Sequence, residues 1–140
     1  MINVRIRPYI EADLPAVTAL WDIVFPDDAT RNRAPAAIPQ KQDFQPGLIF
    51  VAETDGQIVG TTMAGYDGHR GWLYGVAVHP DHQRQGIATE LVNHAVAKLR
   101  SLGCLKVNLQ VREGNESVTA FYESLGFEVE PRVSMGKLVS

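Results

Sequence analysis

A mixed α/β fold, in which a largely antiparallel sheet feeds one strand–helix–strand crossover, is expected from three features of the 140-residue sequence. Two Asp-Gly pairs, Asp55-Gly56 and Asp67-Gly68, separate apolar runs and read as turns that string three antiparallel strands together. A broad stripe at helical spacing follows the third run: Ile87, Leu91, Val92, Ala95, Val96, Leu99 and Leu102. Directly after it, Leu105, Val107, Leu109 and Val111 alternate with Lys106, Asn108 and Gln110, a strand close enough to that helix to pair in parallel with the strand before it.

Taken in order, Val4, Arg5, Ile6 and Arg7 alternate as a strand with one wet face does, and Pro8 ends the run. From Asp13 the period lengthens. Leu14, Val17, Leu20, Trp21 and Val24 share a helical face, with Asp13 as the expected N-cap, Pro15 in the first turn and Pro26 beyond the end. Residues 27–47 carry Pro35, Pro39 and Pro46, so a rigid loop with at most one short helix is expected. Phe50 to Ala52 leads into the first hairpin turn, Ile58 to Tyr66 returns, and Trp72 to Val78 forms the third strand. Gly103 is the natural stop of the long helix. Asn115 is expected to cap a last helix carrying Val118, Phe121, Tyr122 and Leu125, which Gly126 stops before Phe127 begins a terminal pair of strands.

The length suits one domain, 1–140, and the composition, 45% hydrophobic and 21% charged, is that of a globular chain. A net charge of -3 disfavours general nucleic-acid binding, because no basic surface is available to neutralise a phosphate backbone. Cys104 stands alone and is read as a small buried hydrophobe, which excludes an internal disulfide and any cysteine-rich metal site. No export signal and no apolar run of membrane-spanning length is visible, so a cytoplasmic protein without membrane attachment is expected.

Two segments carry chemistry. Gln83-Arg84-Gln85-Gly86-Ile87-Ala88 lies between a strand and the start of an amphipathic helix, where free main-chain N–H groups and the positive end of the helix dipole can hold a pyrophosphate. Gly86 admits close approach because it lacks a Cβ, and Ala88 keeps the mouth of the helix open. The segment lacks the three-glycine dinucleotide pattern and the Gly-Lys-Ser/Thr ending of a nucleoside-triphosphate loop, so another diphosphate ligand is indicated. The second segment runs from Asn115 through Ala120-Phe121-Tyr122 to Gly126-Phe127; Phe121 and Phe127 read as packing residues, whereas Tyr122 is taken as functional.

In this order and spacing, with Gly75-Val76-Ala77-Val78-His79-Pro80 ahead of them, these segments resemble the GNAT superfamily of acyl-coenzyme A N-acyltransferases. The resemblance spans nearly the whole chain and is sharpest from Leu73 to Phe127. Gly65-Tyr66-Asp67-Gly68-His69-Arg70-Gly71-Trp72 is similar to a small single-domain bacterial branch of that superfamily. The fold implied is a mixed, mostly antiparallel sheet with helices on both faces and a splayed parallel pair of central strands, the coenzyme entering where the pair parts. The resemblance further implies that main-chain groups of Val76, Ala77 and Val78 hold the pantetheine arm and polarise the thioester carbonyl. It places the pyrophosphate on residues Gln83, Arg84, Gln85, Gly86, Ile87 and Ala88, Asn115 beside the pantetheine, and Tyr122 facing the sulfur as the acid that protonates the leaving thiolate. Arg84 reads equally well as a solvated surface residue. Ala88 replaces the glycine found in many members.

The implied reaction is direct transfer of the acetyl group of acetyl-CoA to a primary amine of a small molecule, with no metal. A protein N-terminal or lysine acetyltransferase and a non-catalytic acetyl-CoA-binding module are the alternatives. A second copy of the chain is a further candidate partner. For the general base, Tyr66, Asp67, His69, Tyr74, Glu113 and a bound water stay open, each side chain having a plain role as turn former, surface group or sheet aromatic. His79, His82 and His94 show no metal-ligand spacing.

Overall fold

The computed structural model describes residues 3–140, which fall into two compact units, the first ending at Leu109 and the second running from Gln110 to Ser140. In the first unit, strands β1 (Arg5–Pro8), β2 (Ile49–Thr54), β3 (Gln57–Tyr66), β4 (Gly71–Val78) and β5 (Val107–Asn108) form one sheet in sequence order. The first four are antiparallel neighbours and β4 and β5 are parallel. The β2–β3 connection is the two-residue turn expected at Asp55-Gly56, whose φ angles of 51° and 74° match the right-handed twist of the flanking strands.

Helix α1 (Leu14–Val24) and helix α2 (Ala34–Phe44) lie on one face of the sheet, and helix α3 (Ile87–Ser101) lies on the other. Adjacent residues of β3 show this. A Cβ on Gly60 would meet Leu91 and Ile87 of α3, whereas the side chain of Thr61 bonds Trp21 of α1. The α1–α2 face buries Val17, Leu20, Trp21, Ala34 and Ile38 against Ile49, Val51 and Ala77. Leu91, Val92, Ala95 and Leu99, all fully buried, form the inner stripe of α3. Each Leu or Val side chain so withdrawn from water contributes roughly 1.5–3 kcal/mol.

Two expectations fail around α1 and α2. Asp13 occupies the position before α1, yet its side chain makes no capping bond to that helix. Its carboxylate instead accepts both guanidinium nitrogens of Arg7, at 2.8 and 2.9 Å, and the Ile10 N–H at 2.9 Å, closing a 3-10 turn at Glu11–Asp13. A bidentate charged partner outweighs a neutral helix N–H. The stretch 27–47, expected as a rigid loop with room for one short helix, is instead half helix, the eleven-residue α2. Pro35 sits in its first turn, where no N–H is required, and burial of Ala34 and Ile38 against α1 and β2 offsets the bond that Pro39 cannot make.

The Arg7 guanidinium holds the Asp13 carboxyl below its ordinary value. A carboxyl lowered by folding stabilises the fold fully above its unfolded value, about pH 4, and loses that contribution as pH falls through the folded one. Asp13→Asn is expected to cost about 2 kcal/mol at neutral pH, since it leaves a largely buried guanidinium without its bidentate partner. Urea denaturation at pH 7 and pH 3 measures it; the gap between variant and wild type should shrink at the lower pH.

Strand β5 is two residues long rather than seven, and Leu105 is almost fully exposed. It pairs with β4 only at Gly71–Val107 and Trp72–Asn108. Farther along, β4 shifts register against β3 between Thr61 and Met63, the mark of a bulge, and a bulged strand bends away from a straight neighbour.

The second unit carries helix α4 (Glu116–Ser124). It ends as expected: Gly126 takes φ 95°, its N–H bonds Glu123 O, and the Phe127 N–H bonds Tyr122 O, a closure that satisfies the last helical carbonyls. The terminal strand pair expected from Phe127 onward is absent, and residues 127–140 hold no strand. Pro131 interrupts the run, and Val129, Val133, Met135, Leu138 and Val139 are all exposed, so neither a ladder nor a buried face rewards the extended conformation.

Candidate active site

Beyond Trp72 no strand pairs with the second edge of β4 among the described residues of the first unit. This is the opening of the parallel pair. His79 donates its N–H to Val59 O on β3, so strand alternation turns the main chain of Val78 to the open edge. The bulge places two residues, Gly75 and Val76, opposite Thr62 alone. Gly75 has φ 54°, a conformation suited to glycine, and its carbonyl accepts the Thr61 hydroxyl at 2.8 Å. That carbonyl points to β3, so the N–H of the same trans peptide, which belongs to Val76, points the other way, to the open edge. Ala77 has its side chain buried on the α1 face, and the same alternation turns its main chain to Thr61 of β3, so contrary to expectation it offers the open edge neither.

The chain then passes a 3-10 turn at Pro80–His82 and enters α3. Gln83 leans back and donates from Nε2 to Val78 O at 3.4 Å, tying the loop to the end of β4. Arg84 and Gly86 both have left-handed φ, 62° and 80°. Glu90 N–H makes the helical bond to Gly86 O, so the N–H groups of Ile87, Ala88 and Thr89 precede the intrahelical ladder. A Cβ built on Gly86 would meet nothing within 4 Å, so the space beside Gly86 is clear of protein. Gln83, Arg84, Gln85 and Gly86 are exposed, Ala88 is half-buried, and Ile87 sends its side chain into the core. The structure therefore brings Val76–Val78 and Gln83–Ala88 together at one end of β4.

In the second unit, Asn115 stands at the N-terminus of α4 and Tyr122 in its second turn. Asn115 makes no capping bond with its side chain, contrary to expectation; its Oδ1 accepts the Ser117 hydroxyl at 3.3 Å, and Thr119 N–H bonds its carbonyl. Tyr122 is buried, with the rings of Phe121 and Phe127 set edge-on at 5.0 and 5.6 Å. Burial pushes its phenol up to about 12, so the hydroxyl keeps its proton throughout the neutral and mildly alkaline range.

The candidate bases separate by place. The main chain of Tyr66 is clamped by the Gln45 amide, which accepts its N–H and donates to its carbonyl. Asp67 accepts the N–H groups of Arg70 and His69 at 2.8 Å, which hold its carboxyl below the ordinary value and make it a weaker base. His69 lies in the same exposed turn, and Glu113 lies in an exposed turn of the second unit. Tyr74 alone adjoins the bulge; burial first, then the Asp67 carboxylate, pushes its phenol above the ordinary value. Among the described residues, no group of three or more His, Cys, Asp or Glu side chains could hold a metal ion, and no helix is long and apolar enough to cross a membrane.

Sequence reasoning missed Trp21 and Thr61 as supports of this edge, and it placed Gly75 in the segment 75–80 without assigning it a role. Only Gly75, a glycine inside a strand pattern, carried a readable signal.

Comparison with known proteins identifies the family and the fold. Residues 14–127 match the family model described as Acetyltransferase (GNAT) family. An acetyltransferase of Pectobacterium atrosepticum is 41% identical over 135 residues, 95% of this chain and 94% of that protein. Among solved structures, an aminoglycoside N-acetyltransferase in complex with CoA superposes with a TM-score of 0.80 at 20% identity, covering all of this chain and 97% of the other, which establishes the shared fold. The ribosomal-protein-S18-alanine N-acetyltransferase of Escherichia coli superposes with a TM-score of 0.73 at 26% identity, covering 90% of this chain and 78% of that one. With a family model spanning most of its length and a curated relative at this identity, the chain belongs to the GNAT family of acetyltransferases and is an acyl-CoA-dependent transferase.

Proposed function

We propose that the protein transfers the acetyl group of acetyl-CoA directly to a primary amine of a small molecule in the cytoplasm. The observation that carries this reading is the open edge of β4 running into an uncovered α3 N-terminus. An extended pantetheine arm matches the edge as an added strand would, with Val76 and Val78 as its main-chain partners. The pyrophosphate suits the donors at Gly86 to Ala88, with Gln83, Arg84 and Gln85 flanking it. Asn115 is assigned to the pantetheine and Tyr122 to the sulfur on the family resemblance.

In this reading the neutral amine attacks the thioester carbonyl and a C–N bond forms. The Val76 N–H bonds the developing oxyanion. The C–S bond then breaks, Tyr122 gives its proton to the leaving thiolate, and the ammonium proton passes to water or a nearby base, from which Tyr122 is reprotonated.

A ligand that binds only the folded state stabilises it by mass action. Acetyl-CoA is therefore expected to bind at one site per chain and raise the melting temperature, and NADH and ATP are not. Calorimetric titration without heat, together with an unmoved melting curve, would refute the reading. Structural neighbours include enzymes named for an aminoglycoside and for a ribosomal-protein alanine, so a peptide N-terminus is the competing acceptor. Thiol release measured over small amines and over peptides separates the two.

A further inference from the structure

We infer that Trp21 and Thr61 are positioning residues that aim the Val76 N–H at the acyl carbonyl of bound acetyl-CoA. The inference rests on the proposed function and extends it to two side chains that reach the reacting group only through the main chain.

The Trp21 indole Nε1 donates to Thr61 Oγ1 at 2.9 Å, and Thr61 Oγ1 donates to the Gly75 carbonyl at 2.8 Å. The direction of this chain is forced. An indole N–H can only donate and a carbonyl can only accept, so the single hydroxyl proton must lie on the Gly75 side. Thr61 is fully buried and Trp21 nearly so, which removes water as a substitute partner. The Trp21 ring also closes the space beside the bulge, since a Cβ on Gly75 would lie 2.7 Å from Cζ2.

The consequence reaches Val76 through covalent geometry. The Gly75 carbonyl and the Val76 N–H belong to one planar trans peptide and point in opposite directions, so holding the oxygen on β3 holds the hydrogen on the open edge. A hydrogen bond accepted at the oxygen also polarises that peptide and strengthens its N–H as a donor. An extended strand without a bulge would satisfy its carbonyls by ladder bonds alone. Here a side-chain relay from α1 does so, at the one peptide assigned to the oxyanion.

The test is the infrared carbonyl band of acetyl-CoA labelled with carbon-13 at the acetyl carbonyl, measured in its complex with the intact protein, alongside calorimetry and turnover read as thiol release. The wild-type complex should show the band lowered relative to free acetyl-CoA. Thr61→Val keeps the shape and removes the hydroxyl; its band should return toward the free position and its turnover fall about tenfold, with acetyl-CoA affinity changed less than about threefold. Thr61→Ser should restore both. Trp21→Phe, which keeps a ring and removes the donor, should move the band in the same direction and stands in if Thr61→Val does not fold. Wild-type band and turnover in both Thr61→Val and Trp21→Phe would overturn the inference, as would a Thr61→Ser variant as impaired as Thr61→Val, which marks packing alone. An unshifted band in a wild-type complex that binds normally overturns it as well. Failure of the wild type to bind acetyl-CoA at all would instead remove the proposed function.

Discussion

Tyr122→Phe is expected to lower turnover with an accepted amine by roughly ten- to a thousand-fold while leaving acetyl-CoA affinity nearly unchanged. The substitution keeps the ring between Phe121 and Phe127 and removes only the hydroxyl. That hydroxyl is pushed up to about 12 by burial, so it enters every cycle protonated at neutral pH, and no loss of activity from its ionisation is expected on moving to mildly alkaline pH. Steady-state kinetics with calorimetry on the same samples separates the two effects. A tyrosine that serves packing would instead give a lower melting temperature with unchanged turnover per folded molecule. Full activity in Tyr122→Phe would withdraw the acid role and leave acetyl-CoA binding untouched.

Gly86→Asp should abolish acetyl-CoA binding. The new side chain would project into space clear of protein at the mouth of α3, setting a carboxylate against the phosphates that the free N–H groups are proposed to hold. Gly86 also has φ 80°, so any side chain there strains the backbone by about 1 kcal/mol, and Gly86→Ala is the control that carries the strain without the charge. Calorimetry on the three proteins, with circular dichroism to confirm folding, should show binding weakened in Gly86→Ala and lost in Gly86→Asp. Wild-type affinity in Gly86→Asp would place the pyrophosphate elsewhere.

Much of the architecture was legible because it depends on neighbours in the chain. Asp55-Gly56 makes its hairpin through two positive φ angles, and Gly103 and Gly126 end their helices in the left-handed conformation. The stripe from Ile87 to Leu99 needs only a 3.6-residue period to declare a buried face, although Leu102, counted on the same stripe, lies past the helix end and is half-exposed. The segment Gln83 to Ala88 was readable for the same reason, since a strand, a glycine and a helix start are all local features.

What tertiary structure alone decided are the interactions that span long stretches of chain. Asp13 abandons α1 for Arg7, which also bonds Glu53 from a strand forty-six residues away. Residues 34–44 become a helix despite Pro39 because Ala34 and Ile38 find apolar partners on α1 and β2. The run from Leu105 to Val111 forms strand only at Val107–Asn108, where β4 still lies straight beside it, and the residues after Phe127 join no strand among the described residues. The bulge that turns Val76 outward depends on Trp21, Thr61 and Gly75, three residues from three elements, none of which signals the others in sequence. Turn and cap preferences act over a few residues and can be read from them; a bidentate ion pair, a buried hydroxyl relay and the point at which two strands part depend on which surfaces the folded chain brings together.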